Sequence, residues 1–190
     1  MTHDRRVPGL PAIVLAGALG ALFGPLAACG RPAADPSQPA DDATSGSGDQ
    51  PDRPARRFAY PALDGSVASS AALAGRMTLV VLGSESDPAS TAQARFVIDL
   101  FHGHSPRVNA LLLLLDPAEN LPLVRAFADF LAAPFPVALA DADTIAGAGP
   151  FPGLHHVPSV LLLDRQGREV WRHVGLAERA ELERALERHE

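Results

Sequence analysis

Cys29 is the residue best suited to covalent chemistry, because it is the only cysteine among 190 residues. A single thiol excludes an intramolecular disulfide, so the fold must be stable without one. Arg5 and Arg6, an apolar stretch over 13–22 and several small residues precede the cysteine. That order of charged, apolar and small residues is typical of a secretory signal.

The run Leu26-Ala27-Ala28-Cys29-Gly30 resembles a bacterial lipobox, in which the cysteine is diacylated and becomes the first mature residue. It predicts a lipoprotein signal peptide over 1–28 and a lipidated, disordered tether over 29–56, rich in Pro, Ala, Asp, Ser and Gly. The lipid would hold the protein in the bacterial cell envelope, at the periplasmic face of the inner or outer membrane if the cell has two. An uncleaved membrane helix is the alternative, although prolines and glycines leave fewer than the roughly 20 continuous apolar residues it needs.

A second group of polar residues lies in the loop after the apolar run 77–82. Asp87-Pro88 is a typical helix start, because aspartate is a favoured N-cap and proline a favoured first helical residue. The functional alternative is that Glu85 and Asp87 form an acidic mouth for a ligand. Ser90 lacks the G-x-S-x-G context of a catalytic serine, and no Ser-His-Asp order or phosphate-binding glycine loop is present. No catalytic residue is therefore predicted.

His155 and His156 are the other candidate ligands. Adjacent histidines point in different directions on an extended chain, so they rarely bind one ion together. If their loop faces the 84–90 loop, one of them approaches Glu85 or Asp87, and a metal site of His155, His156 and Asp87 is conceivable. The usual His-x3-His spacing is absent, so we predict neither a metal nor another cofactor.

The hydrophobic pattern predicts an α/β domain over 57–190. A central mixed sheet is flanked by helices, and a terminal hairpin adds antiparallel strands. In the helix over 121–131 we expect an inward face of Leu123, Val124, Phe127, Phe130 and Leu131. The predicted strands cover 57–60, 77–82, 108–115, 137–140, 159–164 and 169–174, and the predicted helices cover 88–101, 121–131 and 178–188.

Four stretches, over 58–76, 79–82, 157–167 and 171–175, together resemble the thioredoxin-like superfamily. Within that superfamily, the chain most resembles the membrane-anchored TlpA-like and peroxiredoxin-like (redoxin) thiol-disulfide proteins. The resemblance implies a thioredoxin-like fold that ends in a β-hairpin and a helix.

The same resemblance implies where an active site would be. The family carries C-x-x-C at the start of the first helix, whereas here Asp87 and Ser90 occupy the two cysteine positions. Neither residue can form a disulfide, so the active site is degenerate. The resemblance also implies a cis bond before Pro158 and a groove for a ligand or partner between the two loops. Its lining would be Glu85, Asp87, His155, His156, Val157 and Pro158. A turn retained only for structure is the alternative.

These observations leave three hypotheses for function. The first is a membrane-anchored binding or scaffold module for an extended peptide or an unknown envelope protein. The second is an accessory member of a thiol-disulfide or peroxide pathway that relies on a partner's cysteines. The third is a metal-handling lipoprotein that uses His155, His156 and the acidic loop. Nucleic acid is not expected as a partner, because the net charge is −6 and the sequence has no basic run.

Overall fold

The structure is a computed structural model that describes residues 53–189. The lipidation site Cys29, the predicted signal peptide over 1–28 and all but the last residues of the predicted tether over 29–56 lie outside the described residues.

The domain opens with a small antiparallel hairpin, in which β1 (Ala59–Pro61) pairs with β2 (Val67–Ser69). The main sheet has five strands in the order β5-β4-β3-β6-β7. Strands β3, β4 and β5 are parallel, whereas β6 is antiparallel to β3 and β7 is antiparallel to β6. The predicted mixed sheet with a terminal hairpin is confirmed. Its strands are β3 (Met77–Gly83), β4 (Val108–Leu114), β5 (Val137–Leu139), β6 (Ser159–Leu163) and β7 (Glu169–Val174).

Four α-helices accompany the sheet within the described residues. They are α1 (Pro88–His104), α2 (Leu121–Leu131), the short α3 (Ala142–Ile145) and α4 (Arg179–His189). The sequence pattern does not predict α3 or β2, because four residues and three residues are too short to show a hydrophobic period.

Apolar side chains cover both faces of the sheet, which explains the continuous apolar run in β3. Leu79 and Val81 point into one core cluster, which also contains Val97 of α1. Val80 and Leu82 point into the other cluster. All seven residues of β3 are buried, as expected for a central strand covered on both sides.

The predicted inward face of α2 is wrong at two positions. Val124 and Leu131 are buried and Phe127 is partly buried, but Leu123 is 56% exposed and Phe130 is 63% exposed. The buried residues follow the i, i+3, i+7 spacing of one helix face, and the two exposed residues each precede a buried one by a single position. The guanidinium of Arg95 lies 4.9 Å from the centroid of the Phe130 ring, a cation–π contact that partly covers it.

The residues just before β1 are bonded to the hairpin that joins β6 and β7 and to the first residue of β7. The main-chain N–H of Arg56 donates to the carbonyl of Gly167 at 2.8 Å. The side chain of Glu169 is 1% exposed, and Arg56 Nη2 lies 2.9 Å from Glu169 Oε2. Arg172 Nε donates to Glu169 Oε1 at 2.6 Å, and Arg53 Nη1 lies 3.7 Å from the same oxygen. Burial raises the pKa of Glu169, but Arg172 and Arg56 outweigh it and lower the pKa below its usual value.

Strand register places the predicted loops at one end of the sheet. Leu82 of β3 pairs with Ser159 of β6, and Gly83 pairs with Leu114 of β4. We call this end, where β3 and β4 finish and β6 begins, the carboxyl edge. The opposite end, where β3 and β4 begin and β6 finishes, is the amino edge. The 84–90 and 154–158 loops therefore both leave the carboxyl edge, as predicted.

Candidate functional site

Asp87 forms the N-cap of α1, which confirms the structural interpretation of Asp87-Pro88. Its backbone is extended, with φ −101° and ψ 116°. Its carboxylate accepts the main-chain N–H of Ala89 at 3.3 Å and of Ser90 at 2.7 Å. The hydrogen bond from the Ser90 hydroxyl, followed by these two, lowers the pKa of Asp87. The group is therefore ionised at neutral pH, next to the positive end of the helix dipole.

Ser90, the second degenerate position, is 1% exposed and has its hydroxyl fully bonded. Ser90 Oγ donates to Asp87 Oδ2 at 2.6 Å and accepts the main-chain N–H of Ser84 at 3.2 Å. A Cβ placed on Gly83 would lie 3.2 Å from Ser90 Cβ, so the end of β3 packs closely against this serine. The hydroxyl is therefore a structural link between β3 and α1, and it is poorly placed to act as a nucleophile.

Asp116 is a buried carboxylate at the same edge that the sequence analysis did not select. It follows β4 and is 3% exposed. Its Oδ1 accepts the Ser84 hydroxyl at 2.7 Å, and its Oδ2 accepts the main-chain N–H of Glu85 at 3.1 Å. The available signal was a carboxylate directly after a buried strand, next to the loop that follows the neighbouring strand. Asp116 thus holds the 84–90 loop against β4.

Ser84, Asp87, Ser90 and Asp116 therefore form one hydrogen-bonded set, which we call the polar link. Glu85 joins it through its main-chain N–H, and its half-buried side chain adds negative charge at the surface. The polar link holds carboxylates and hydroxyls and no thiol, and a serine hydroxyl is too weakly acidic to replace a thiolate. The start of α1 can therefore position a loop, but it cannot exchange disulfides.

The second loop enters β6 through a cis peptide bond between Val157 and Pro158, as the resemblance implies. The Pro158 ring is buried, and its carbonyl accepts the main-chain N–H of Gly175 at 2.8 Å. Ser159 Oγ donates to the carbonyl of His156 at 2.7 Å, which closes the loop onto β6. Val157 is half-buried and lies outside the pairing of β6 with β3 and β7.

The two histidines do not behave as expected for adjacent residues on an extended chain. Their ring centroids are 4.2 Å apart, because the loop is bent here. A Cβ placed on Gly147 would lie 3.0 Å from His155 Nδ1, so His155 packs against the segment after α3 and not against the acidic loop. Within residues 53–189, no three His, Cys, Asp or Glu side chains are grouped to hold a metal ion. His155, His156 and Asp87, the conceivable metal set, are therefore not grouped around one ion site.

Two exposed apolar residues flank the cis-proline loop, and the sequence analysis did not select them. Val174 pairs with Ser159 and is 52% exposed, and Leu176 is 44% exposed. The main-chain N–H of Ala177 donates to the buried side-chain oxygen of Gln93 at 2.7 Å. This bond fixes the segment that carries Leu176 to α1, on the same side of the domain as the polar link.

A cavity of about 470 Å³ lies away from both loops. Leu63, Asp64, Arg125 and Phe135 are among its lining residues, so α2 and the turn after β1 form its walls. It contains no residue of the predicted groove.

Comparison with known proteins supports the fold. No protein-family model matches the chain, and no curated protein matches it. Among solved structures, a DsbF homologue from Corynebacterium diphtheriae matches with a TM-score of 0.66 and 14% identity, over 80% of this chain and 97% of the other. A thiol:disulfide interchange protein of the thioredoxin family from Chlorobium tepidum matches with a TM-score of 0.60 and 22% identity, over 72% and 95%. StoA from Bacillus subtilis matches with a TM-score of 0.56 and 16% identity, over 68% and 95%.

The chain has a thioredoxin-like fold, with a central mixed sheet flanked by helices. This confirms the fold expected from the resemblance in sequence. No helix within residues 53–189 has the length and apolar character that crossing a membrane requires.

Proposed function

We propose that this chain is a lipid-anchored, thioredoxin-fold binding module of the bacterial envelope that performs no thiol chemistry of its own. The observation that carries the proposal is the polar link. At the start of α1, where a redox relative would hold its cysteines, the side chains of Asp87 and Ser90 are already bonded to each other. Because these side chains cannot exchange disulfides, we assign the carboxyl edge to binding.

The surface next to the polar link favours an extended polypeptide as the ligand. Val174 and Leu176 offer exposed apolar contacts beside Pro158. The main chain of Val157 lies at the start of β6 but outside its ladder, where a segment added as a strand would form hydrogen bonds. Glu85 and ionised Asp87 make the surface negative, so the bound segment is expected to be apolar or basic.

A second candidate is an accessory role in a thiol-disulfide or peroxide pathway. The observation that favours it is that similar structures include a protein described as a thiol:disulfide interchange protein. In that role the bound segment would carry the partner's own cysteines, and the module would only present them.

A peptide-display selection against the full chain tests the proposal. We expect Val174→Ser combined with Leu176→Ser to weaken binding of selected peptides at least about tenfold, since burying each apolar side chain is worth about 1.5 kcal/mol or more. Leu123→Ser is the matched control, because Leu123 is 56% exposed and lies on α2. Unchanged binding by the double variant would exclude this surface. Selective capture of peptides with a disulfide over their serine counterparts would favour the accessory role.

Lipidation is tested separately with Cys29→Ser. Because the chain has no other thiol, we expect the variant to incorporate no radiolabelled fatty acid and to remain uncleaved or mislocalised. If the variant and the wild type associate equally with membranes, a spanning segment would replace the lipid anchor.

A further inference from the structure

Arg76, Arg107 and Arg165 lie side by side at the amino edge, although they are 31 and 58 positions apart in the sequence. Arg76 and Arg107 immediately precede Met77 and Val108, which pair in the parallel register of β3 and β4. Leu163 pairs with Thr78, so continuing that antiparallel register by two residues brings Arg165 opposite Arg76. Neighbouring strands are about 4.8 Å apart, so the three residues occupy consecutive positions along one edge. We call Arg76, Arg107 and Arg165 the arginine row.

Hydrogen bonds help to position two of the three arginines, Arg76 and Arg165. The main-chain N–H of Gly75 donates to the carbonyl of Arg165 at 2.9 Å, which joins the segment before β3 to the hairpin after β6. Arg76 Nη1 donates to Asn109 Oδ1 at 3.5 Å, and Asn109 Nδ2 donates to the carbonyl of Leu73 at 2.9 Å. The Arg76 side chain is thus oriented by an asparagine that is itself held by the main chain.

The arginine row lines a pocket of about 400 Å³ that contains no carboxylate. Gly75, Met77 and Pro106 complete its lining. Within residues 53–189, none of the three arginines forms an ion pair with Asp or Glu. Like charges on adjacent strands repel each other. Although the protein has a net charge of −6, the part of the chain that the structure describes supplies no neutralising partner for these three adjacent cations.

We propose that this pocket binds a phosphate group. The planar, forked guanidinium matches the oxygens of a phosphate, and several arginines around one oxyanion give both charge neutralisation and defined geometry. Two sources share this chemistry, free phosphate and the headgroup of an anionic phospholipid. The main chain reaches the domain through Arg56, bonded to Gly167 in the hairpin that carries Arg165. If the N-terminal side carries the proposed lipid anchor, the chain from that anchor enters the domain at this edge.

The test uses the full chain with Cys29→Ser, so that no attached lipid contributes to binding. The first probe is inorganic phosphate, compared with chloride at equal ionic strength, while phenylglyoxal modifies the arginines and mass spectrometry locates them. We expect phosphate to slow modification of the arginine row at least about threefold and to leave Arg125 and Arg184 unaffected. The second probe is flotation with phosphatidylglycerol vesicles, against phosphatidylcholine vesicles.

Two triple variants separate the pocket from overall charge. Arg76→Gln, Arg107→Gln and Arg165→Gln together should lower vesicle binding at least about tenfold, since each arginine near an anionic surface adds to the attraction. Arg95→Gln, Arg125→Gln and Arg184→Gln remove the same charge from exposed positions on the helices and should change binding less than about twofold. Protection of the arginine row by inorganic phosphate supports a soluble phosphate ligand. Binding to phosphatidylglycerol vesicles without such protection supports a lipid headgroup as the ligand. Failure of both probes, or an equal loss in the control variant, overturns the proposal, and neither result bears on the carboxyl edge.

Discussion

Two groups of three arginines differ in what their charges face. Arg53, Arg56 and Arg172 surround the buried carboxylate of Glu169. The arginine row, one strand away, faces a pocket with no acidic group. The first group offsets the cost of burying a charge and so stabilises the fold. The arginine row neutralises no buried charge and so does not stabilise the fold in this way, which is why we infer a ligand there.

The largest effect is expected from Glu169→Gln. Removing one partner of a buried ion pair costs about 3–5 kcal/mol, and we expect the lower end because the three arginines remain partly exposed. Urea unfolding measures the change in the free energy of unfolding. Glu183→Gln is the control, since its pair with Arg179 spans 3.9 Å between two half-exposed side chains. A loss no larger than that of the control would show that the first group does not stabilise the fold.

The pH dependence sharpens the same contrast. The pKa of Glu169 is lowered in the folded protein, so its contribution to stability is complete above the unfolded value of about 4.3. The contribution is lost as the pH falls through the lower, folded pKa, because protonation favours the unfolded chain. We therefore expect Glu169→Gln to flatten the acid limb of the urea midpoint plotted against pH. If the urea midpoint of the variant falls as steeply at acid pH as that of the wild type, other carboxylates cause the pH dependence of stability.

Asp87 extends the comparison to a carboxylate that is bonded but more exposed. Asp87→Ala removes an N-cap, for which the usual cost is about 0.5–2 kcal/mol. It also leaves the buried Ser90 hydroxyl without its acceptor. Asp87→Asn is the matched control, because asparagine also caps helices and should recover most of the loss. If stability is unchanged and peptide binding falls, Asp87 acts in recognition and not as a cap.

The smallest effect is expected from the arginine row. Replacing all three residues by glutamine should leave the free energy of unfolding within about 0.5 kcal/mol of the wild type or raise it, because the change relieves repulsion at exposed positions. Thermal or urea unfolding at low salt measures this. A loss of about 2 kcal/mol or more would place the row with the first group, as a structural element.

The sequence predicts those features that depend on local patterns. Continuous apolar runs mark β3 and β4, and Asp87-Pro88 marks the start of α1. The resemblance in sequence supplies the cis bond before Pro158. Asp116 carries a weaker signal, a carboxylate directly after a buried strand, and its role becomes clear only from its contacts with the 84–90 loop.

Features that depend on pairing between distant strands escape a reading of the sequence. The arginine row becomes visible only after the register of β3 with β4 and β6 is known. The exposure of Val174 and Leu176 follows from their position at the sheet edge and not from their apolar character. His155 packs beside Gly147 because the bent loop turns it there, whereas the sequence analysis assumed an extended chain.

The attachment of residues 53–56 to the β6–β7 hairpin has a mechanical consequence. A pull on the chain from its N-terminal side first loads the hydrogen bond from Arg56 to Gly167 and the ion pairs with Glu169. Because these contacts precede β1 in the chain, they share the force before it reaches the hairpin of β1 and β2. The load then passes into β7, a strand bonded along its length to β6. The arginines around Glu169 would thus reduce the force that a pull on the N-terminal segment places on the small hairpin.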